Sequence, residues 1–192
     1  MVRYSNPGTK GYYLTVTRST HGTGATCVGD VDAFTGREAV HSHTLSAMYS
    51  YYMIELNRGI TVKPSAYKLR SYGSGGGHMV LNWCFQASVD GENWVTLKRH
   101  DNDTTISNFG DIGTWYVNGN DFFTYFRVML TGAEKRGMYH LCLSGFELYG
   151  ELRREATRSR NAAAAAPSAP SAPSALSGKN LLPSSLCVPP TA

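Results

Sequence analysis

The stretch that most constrains this chain is residues 81–97, Leu-Asn-Trp-Cys-Phe-Gln-Ala-Ser-Val-Asp-Gly-Glu-Asn-Trp-Val-Thr-Leu. Leu81, Trp83, Phe85, Ala87 and Val89 alternate with Asn82, Cys84, Gln86 and Ser88. A period of two is the mark of a strand with one buried face. Asp90-Gly91 tolerates the positive φ that a tight turn needs. Trp94, Val95 and Leu97 resume beyond it, so the stretch reads as a β-hairpin. An isolated hairpin is marginal in water, and the rest of the chain must supply sheets to cover it.

It does so with strands. Residues 12–17 (Tyr-Tyr-Leu-Thr-Val-Thr) are good strand formers. Residues 49–56 make a second strand, with Met53, Ile54 and Leu56 expected inside. Residues 60–69 make a third, and Pro64 within it predicts an edge position or a bulge. Residues 114–117 form a short strand. Residues 125–130 follow, with Phe126, Val128 and Leu130 on one face. Residues 139–149 close the domain, with Leu141, Leu143, Phe146 and Leu148 as core candidates and Gly145 as a bulge. Residues 30–43 are polar, with one helical turn expected around residues 37–40. Short strands, turn residues in the gaps and no long amphipathic helix predict an all-β sandwich or jelly roll.

After Leu152 the composition changes. Five alanines at 162–166 lead into Pro-Ser-Ala repeats, with Pro183, Pro189 and Pro190 beyond. Such a segment is too poor in core-forming residues to fold and is expected to be disordered. The chain therefore divides into a folded domain, 1–152, and a tail, 153–192. The tail holds five basic residues against one acidic, whereas residues 1–152 hold 13 of each. The net charge of +4 thus belongs to the tail. A neutral domain argues against a broad nucleic-acid-binding face. No apolar run is long enough for a membrane helix. The N-terminus lacks the apolar core of a signal peptide, so an intracellular location is expected. Of the four cysteines, none has zinc-site spacing. A Cys84–Cys142 bridge is left open.

Several motifs now stand in order: Tyr67-Lys68-Leu69-Arg70, a Gly-rich loop, Asn82-Trp83-Cys84-Phe85-Gln86-Ala87-Ser88 with Asp90-Gly91 and Trp94, and Leu143-Ser144-Gly145-Phe146-Glu147-Leu148-Tyr149-Gly150. Their order and spacing resemble the galactose-binding-like β-sandwich, the discoidin or coagulation factor 5/8 type C superfamily. The closest resemblance is to the domain found in HECT-type E3 ubiquitin ligases and some BTB-domain proteins. It covers residues 45–150 well and residues 1–44 loosely. It implies a galactose-binding-like jelly roll of two antiparallel sheets, with ligand-contacting loops at one end and no catalytic activity. A fold-level likeness is an associational warrant for function.

The sharpest candidate site is the loop after Arg70. Arg70 offers a rigid fork of donors, Tyr72 a face for stacking, and His78 and Asn82 close the glycine run. His100, with Asn102 and Asp103, forms a second polar cluster and His140 a third, expected at the same end. His41 and His43 lie two apart, which on a strand shares a face, but a third ligand is not evident, so no transition-metal site is expected. Some secreted relatives bind calcium, and Asp30, Asp32 and Glu147 lie in loosely corresponding places with suitable oxygen ligands. No cofactor is expected. Trp83, Trp94, Phe85, Phe126 and Phe146 are assigned to the core by their alternation; Trp115 is left open between core and surface. There is no Gly-x-Ser-x-Gly elbow, no His-Glu-x-x-His and no P-loop ending. The expected function is a non-catalytic module that takes a protein or peptide partner through its end loops, in a ubiquitin-ligase context. The alternative is a lectin-like domain for carbohydrate or lipid headgroups.

Overall fold

The computed structural model describes residues 13–22, 29, 31–72 and 77–155. The chain divides into a unit at Met1–Thr157 and one at Arg158–Ala192, and every described residue falls in the first. Of the tail expected to be disordered, residues 156–192 lie outside the described residues. The strands are β1 (Leu14–Arg18), β2 (Tyr51–Leu56), β3 (Ile60–Ser71), β4 (Trp83–Ser88), β5 (Val95–His100), β6 (Ile112–Tyr116), β7 (Tyr125–Leu130) and β8 (Leu143–Arg154). They form a five-stranded sheet, β1-β2-β7-β4-β5, and a three-stranded sheet, β6-β3-β8, with every pair antiparallel. This is a galactose-binding-like jelly-roll sandwich. No described helix is long and apolar enough to cross a membrane.

The strand that opens the hairpin, β4, lies between β7 and β5 and is buried on both faces. Trp83, Phe85 and Ala87 face the other sheet and join the core. Tyr67 of β3 stacks on Phe85 with ring centroids 4.2 Å apart, and on Trp115 of β6 at 5.3 Å. The opposite face of β4 is covered from its own sheet. Arg127 of β7 donates Nε–H to Gln86 Oε1 at 2.7 Å, and its guanidinium lies 4.0 Å over the Trp94 ring. Cys84 sits on this face as a free thiol, and Cys142 is free as well, so the two do not bridge.

Several local expectations change. Trp94 is half-buried beneath Arg127 rather than in the core. A bulge opposite Phe85 and Gln86 puts one extra residue, Leu97, into β5, and a one-residue shift turns side chains to the other face. Trp115 is buried, because Tyr67 and Trp83 pack against it. In β2 it is Tyr52 and Ile54 that are buried, while Met53 lies on the outer face opposite Arg127. Pro64 sits in a central strand, between β6 and β8, and the lattice accommodates it by a register shift between Pro64 and Ala66. A second shift falls between Arg70 and Ser71, opposite Gly145. The helical turn lies at Val31–Thr35, as a 3-10 turn, and not at 37–40. Phe34 in that turn is buried and stacks on Tyr52 at 4.5 Å and Phe146 at 5.6 Å. Burying one such ring contributes about 2–3 kcal/mol, which is why a short polar segment still holds its place. The last strand runs to Arg154, two residues past the boundary read from composition.

Candidate functional site

The strand directions bring four connections to one end of the sandwich. There β1 and β3 finish, β2 and β4 begin, β5 and β7 finish, and β6 and β8 begin. The connections are residues 19–50, 72–82, 101–111 and 131–142. Arg70, Tyr72, His78, Asn82, His100 and His140 all fall at this end, yet they do not form one site.

Arg70 is occupied by its own backbone. Its guanidinium donates to the carbonyls of Gly36, at 3.0 Å, and Arg37. It thus anchors the segment that follows the 3-10 turn. Asn82 staples two loops: Nδ2 donates to Ala133 O at 2.9 Å, and Oδ1 accepts from the Asn102 amide at 2.8 Å.

His100 points into the sandwich and is 5% exposed. Its ring stacks on Trp83 at 4.0 Å. Nδ1 meets Asp103 Oδ2 at 2.6 Å and Nε2 meets the Tyr67 hydroxyl at 2.6 Å. Asp103 Oδ2 also accepts from Trp115 Nε1 at 3.0 Å. A carboxylate can only accept, so Nδ1 carries the proton and Nε2 accepts from Tyr67. Burial holds His100 below its ordinary pKa, against the opposing effect of Asp103. Burial would raise the Asp103 carboxyl, but hydrogen bonds from Thr105 and His100 outweigh it and keep the group ionised. Neutral imidazole beside carboxylate accounts for both directions. Asp, His and Tyr in line resemble a proton relay, but Tyr67 is fully buried and no substrate reaches it. The arrangement is a polar strut within the core, not a surface for a ligand.

Tyr72, His78 and His140 do come together, through two histidines that sequence reasoning weighed and set aside. The His41 and His43 rings are 5.6 Å apart, His43 and His140 5.1 Å, and His140 and His78 5.8 Å. The buried Tyr72 hydroxyl pairs with His41 Nε2. Thr44 O accepts from His43 Nδ1 at 2.8 Å and from His140 Nδ1 at 3.0 Å. His78 Nδ1 lies 3.2 Å from Glu134 Oε1. Glu134 is itself buried and accepts the amides of Arg136 and Met138. Burial holds His43 below its ordinary pKa; His140, His41 and Arg18 add to the effect, and the Thr44 bond opposes it.

The sequence pair His41/His43 was read without a partner because His140 is almost a hundred positions away. Among the described residues, no group of three or more His, Cys, Asp or Glu is arranged to hold a metal ion. Of the calcium candidates, Asp30 and the side chain of Asp32 lie outside the described residues. Glu147 is on the outer face of β8, 3.7 Å from Lys68 and bonded by the Tyr149 hydroxyl.

Next to the histidines the same end displays apolar groups that the motifs did not single out. Ser50 N donates to Ala47 O at 3.2 Å, closing a turn over residues 47–50. Its third residue, Tyr49, has φ 65° and is 58% exposed. Turns that need positive φ at this place normally carry Gly or Asn. Met48 beside it is exposed, as is Met138 on the neighbouring loop. The Ala47 amide bonds Tyr139 O at 3.2 Å, which draws the two loops together.

No family model matches the chain. Curated relatives do. The E3 ubiquitin-protein ligase hecd-1 of Caenorhabditis elegans is 33% identical over 116 residues, 59% of this chain and 4% of that protein. The E3 ubiquitin-protein ligase Ufd4 of Drosophila melanogaster is 30% identical over 131 residues, 65% of this chain and 5% of that protein. A BTB/POZ domain-containing protein of Arabidopsis thaliana is 29% identical over 109 residues, 54% of this chain and 13% of that protein. The chain thus spans a small fraction of each relative.

Among solved structures, CpGH89CBM32-5 of Clostridium perfringens, in complex with GalNAc-β-1,3-galactose, superposes with a TM-score of 0.55 at 14% identity, covering 71% of this chain and 95% of that one. The family 32 CBM of Clostridium perfringens NanJ, in complex with galactose, gives 0.52 at 10% identity, covering 73% and 93%. The fold is that of the galactose-binding-like domains. The sequence is similar to segments of two E3 ubiquitin-protein ligases and a BTB/POZ domain-containing protein, relatives of the kind the motif order implied.

Proposed function

We propose that this domain is a non-catalytic recognition module that takes a protein or peptide partner at its loop end, within the ubiquitin-ligase system and inside the cell. The observation that carries the reading is Tyr49. A bulky residue in the left-handed region costs on the order of 1–3 kcal/mol, yet Tyr49 is 58% exposed, so burial returns little of that cost. Exposed Tyr and Met are the groups that anchor protein interfaces. Met48 and Met138 complete such a patch.

A second reading is carbohydrate binding, since the sandwiches of similar fold are solved with sugars. A sugar site needs convergent polar groups beside an aromatic face. Phe109, 43% exposed and 6.4 Å from Tyr72, supplies a face. Arg70 and Asn82, however, are spent on the protein's own loops, and this favours the protein partner.

The test uses the domain as bait in paired co-purifications, wild type against Tyr49→Gly and Met138→Ser, with a glycan array in parallel. Partners lost with both variants, from a domain that still folds, support the reading. Unchanged capture, or reproducible sugar binding with no lost partner, overturns it.

A further inference from the structure

We propose that His43 and His140, with His41 beside them, form a proton-operated latch, which holds the 47–50 turn against residues 138–142 when neutral and releases it when protonated. The inference rests on the reading that this end is where a partner docks, and it adds the control of that site.

The two loops are joined by few bonds. Thr44 N donates to Leu141 O at 3.3 Å, Leu141 N to Thr44 Oγ1 at 3.1 Å, Ala47 N to Tyr139 O at 3.2 Å and Tyr139 N to Ser46 Oγ at 3.2 Å. The imidazoles of His43 and His140 converge on one carbonyl from the two loops. In each ring the proton that makes this bond sits on Nδ1.

Protonation places charge on rings 5.1–5.8 Å apart. The groups facing them offer little compensation. From β1, Arg18 adds positive charge near His43. From the end of β3, Tyr72 meets His41 through its hydroxyl. Beside His43, Cys142 is a thiol that burial pushes up to about 12, so it stays neutral. On the 72–82 side, the Arg136 side chain passes close to Gly77, next to His78. Among the described residues the one carboxylate facing them is Glu134, which faces His78 and already accepts two amides. One proton on His78 is therefore matched, and protons on His43, His140 and His41 are not. Release lets water solvate them, so acid favours release.

Burial holds His43 below its ordinary value of 6.5, so its share of the release sets in as pH falls below that value. One linked proton changes the open population by at most about tenfold per pH unit, and two by up to about a hundredfold. Met48, Tyr49 and Met138 ride on these loops, so their relative placement follows the latch.

The test is amide hydrogen exchange on the full chain at pH 7.5 and 5.5, corrected for intrinsic rates and read without any partner. The amides of Thr44, Ala47, Tyr139 and Leu141 are expected to lose more protection on acidification than the amides of β4 and β7, by up to about tenfold for one linked proton and up to about a hundredfold for two. The variant pair His43→Asn with His140→Asn keeps a donor near Thr44 O and removes the titration. It is expected to remove most of the difference, leaving at most the share of His41.

Equal loss across the domain, no loss, or a difference that survives undiminished in the variant overturns the latch. Should the variant not fold, NMR titration of the wild-type imidazoles decides. Broadened, mutually displaced titrations support it, and four independent ones near pH 6.5 overturn it. A domain that fails here and still captures a partner through Tyr49 keeps the proposed function and loses only its control.

Discussion

His100 Nε2 and the Tyr67 hydroxyl meet at 2.6 Å across the gap between the two sheets. His100 ends β5 of the larger sheet and Tyr67 lies in the central strand of the smaller. Most of the sandwich is joined by apolar packing, which is non-directional. This bond is directional, and it fixes how the sheets sit in that layer. Removing one partner leaves the other buried and unpaired. Tyr67→Phe is expected to cost about 1–3 kcal/mol. His100→Ala, which also opens a cavity beside Trp83 and strands Asp103, is expected to cost about 3–5 kcal/mol. Urea unfolding monitored by tryptophan fluorescence measures both.

The depressed histidines predict the pH dependence of stability. His100 and His43 both have folded pKa values below the ordinary 6.5. In the unfolded chain they protonate first as pH falls, so the unfolded state binds more protons. Stability is therefore full above about pH 6.5 and declines as pH drops through and below that value. Asp103 adds a second loss only at more acid pH, below its ordinary 3.8. Thermal melts between pH 7.5 and 5.0 should show a falling midpoint, with a shallower slope for His100→Gln. A flat profile would count against a neutral buried His100.

Gly150 has no room for a side chain. A Cβ there would lie 2.1 Å from Lys63 O, next to the bulge at Pro64. Gly150→Ala must push β3 and β8 apart where Pro64 already interrupts the ladder. The expected cost is about 2 kcal/mol or more, in the range of overpacked cores, read from the denaturation midpoint. A neutral effect would mean that the β3–β8 register at this point differs from the one described.

Thr131 offers the opposite sign. Its Oγ1 is buried without a hydrogen-bond partner. A valine of the same shape removes an unsatisfied hydroxyl and adds a methyl group. Thr131→Val is expected to raise stability by about 1 kcal/mol, visible as a higher melting temperature at neutral pH. A fall would show that the hydroxyl is satisfied in solution.

The contrast between Trp83 and Trp94 shows how far the sequence reaches. Both stand in the hairpin, and a simple period of two assigns both inward. Trp83 is inward, because β4 keeps an unbroken register with β7 along its length. Trp94 is not, because a bulge in the partner strand shifts the phase, and a bulge of that kind leaves no residue signature there. Pro64 shows the reverse. Its missing N–H predicts a bulge, and a bulge is present, but the choice between edge and centre depends on which strands lie beside it. Phe34 was unreadable for another reason: one aromatic in a polar stretch has no period, and only the open end of the sandwich gives it a place.

The sequence by itself determined the all-β class, the succession of short strands, most of the inward-facing core and the end at which the polar loops gather. Those follow from local rules: alternation, turn chemistry and the order of motifs. Only the tertiary structure decided what each polar group does. Arg70, Asn82 and His100 are spent inside the protein on backbone carbonyls, a neighbouring amide and Tyr67. His41, His43, His78 and His140 are assembled from three separate loops. Tyr49 is displayed by a turn whose strain appears only as a backbone angle. Hydrogen bonds and charge act over a few ångströms in space and are indifferent to separation along the chain, so a one-dimensional pattern names the groups without pairing them.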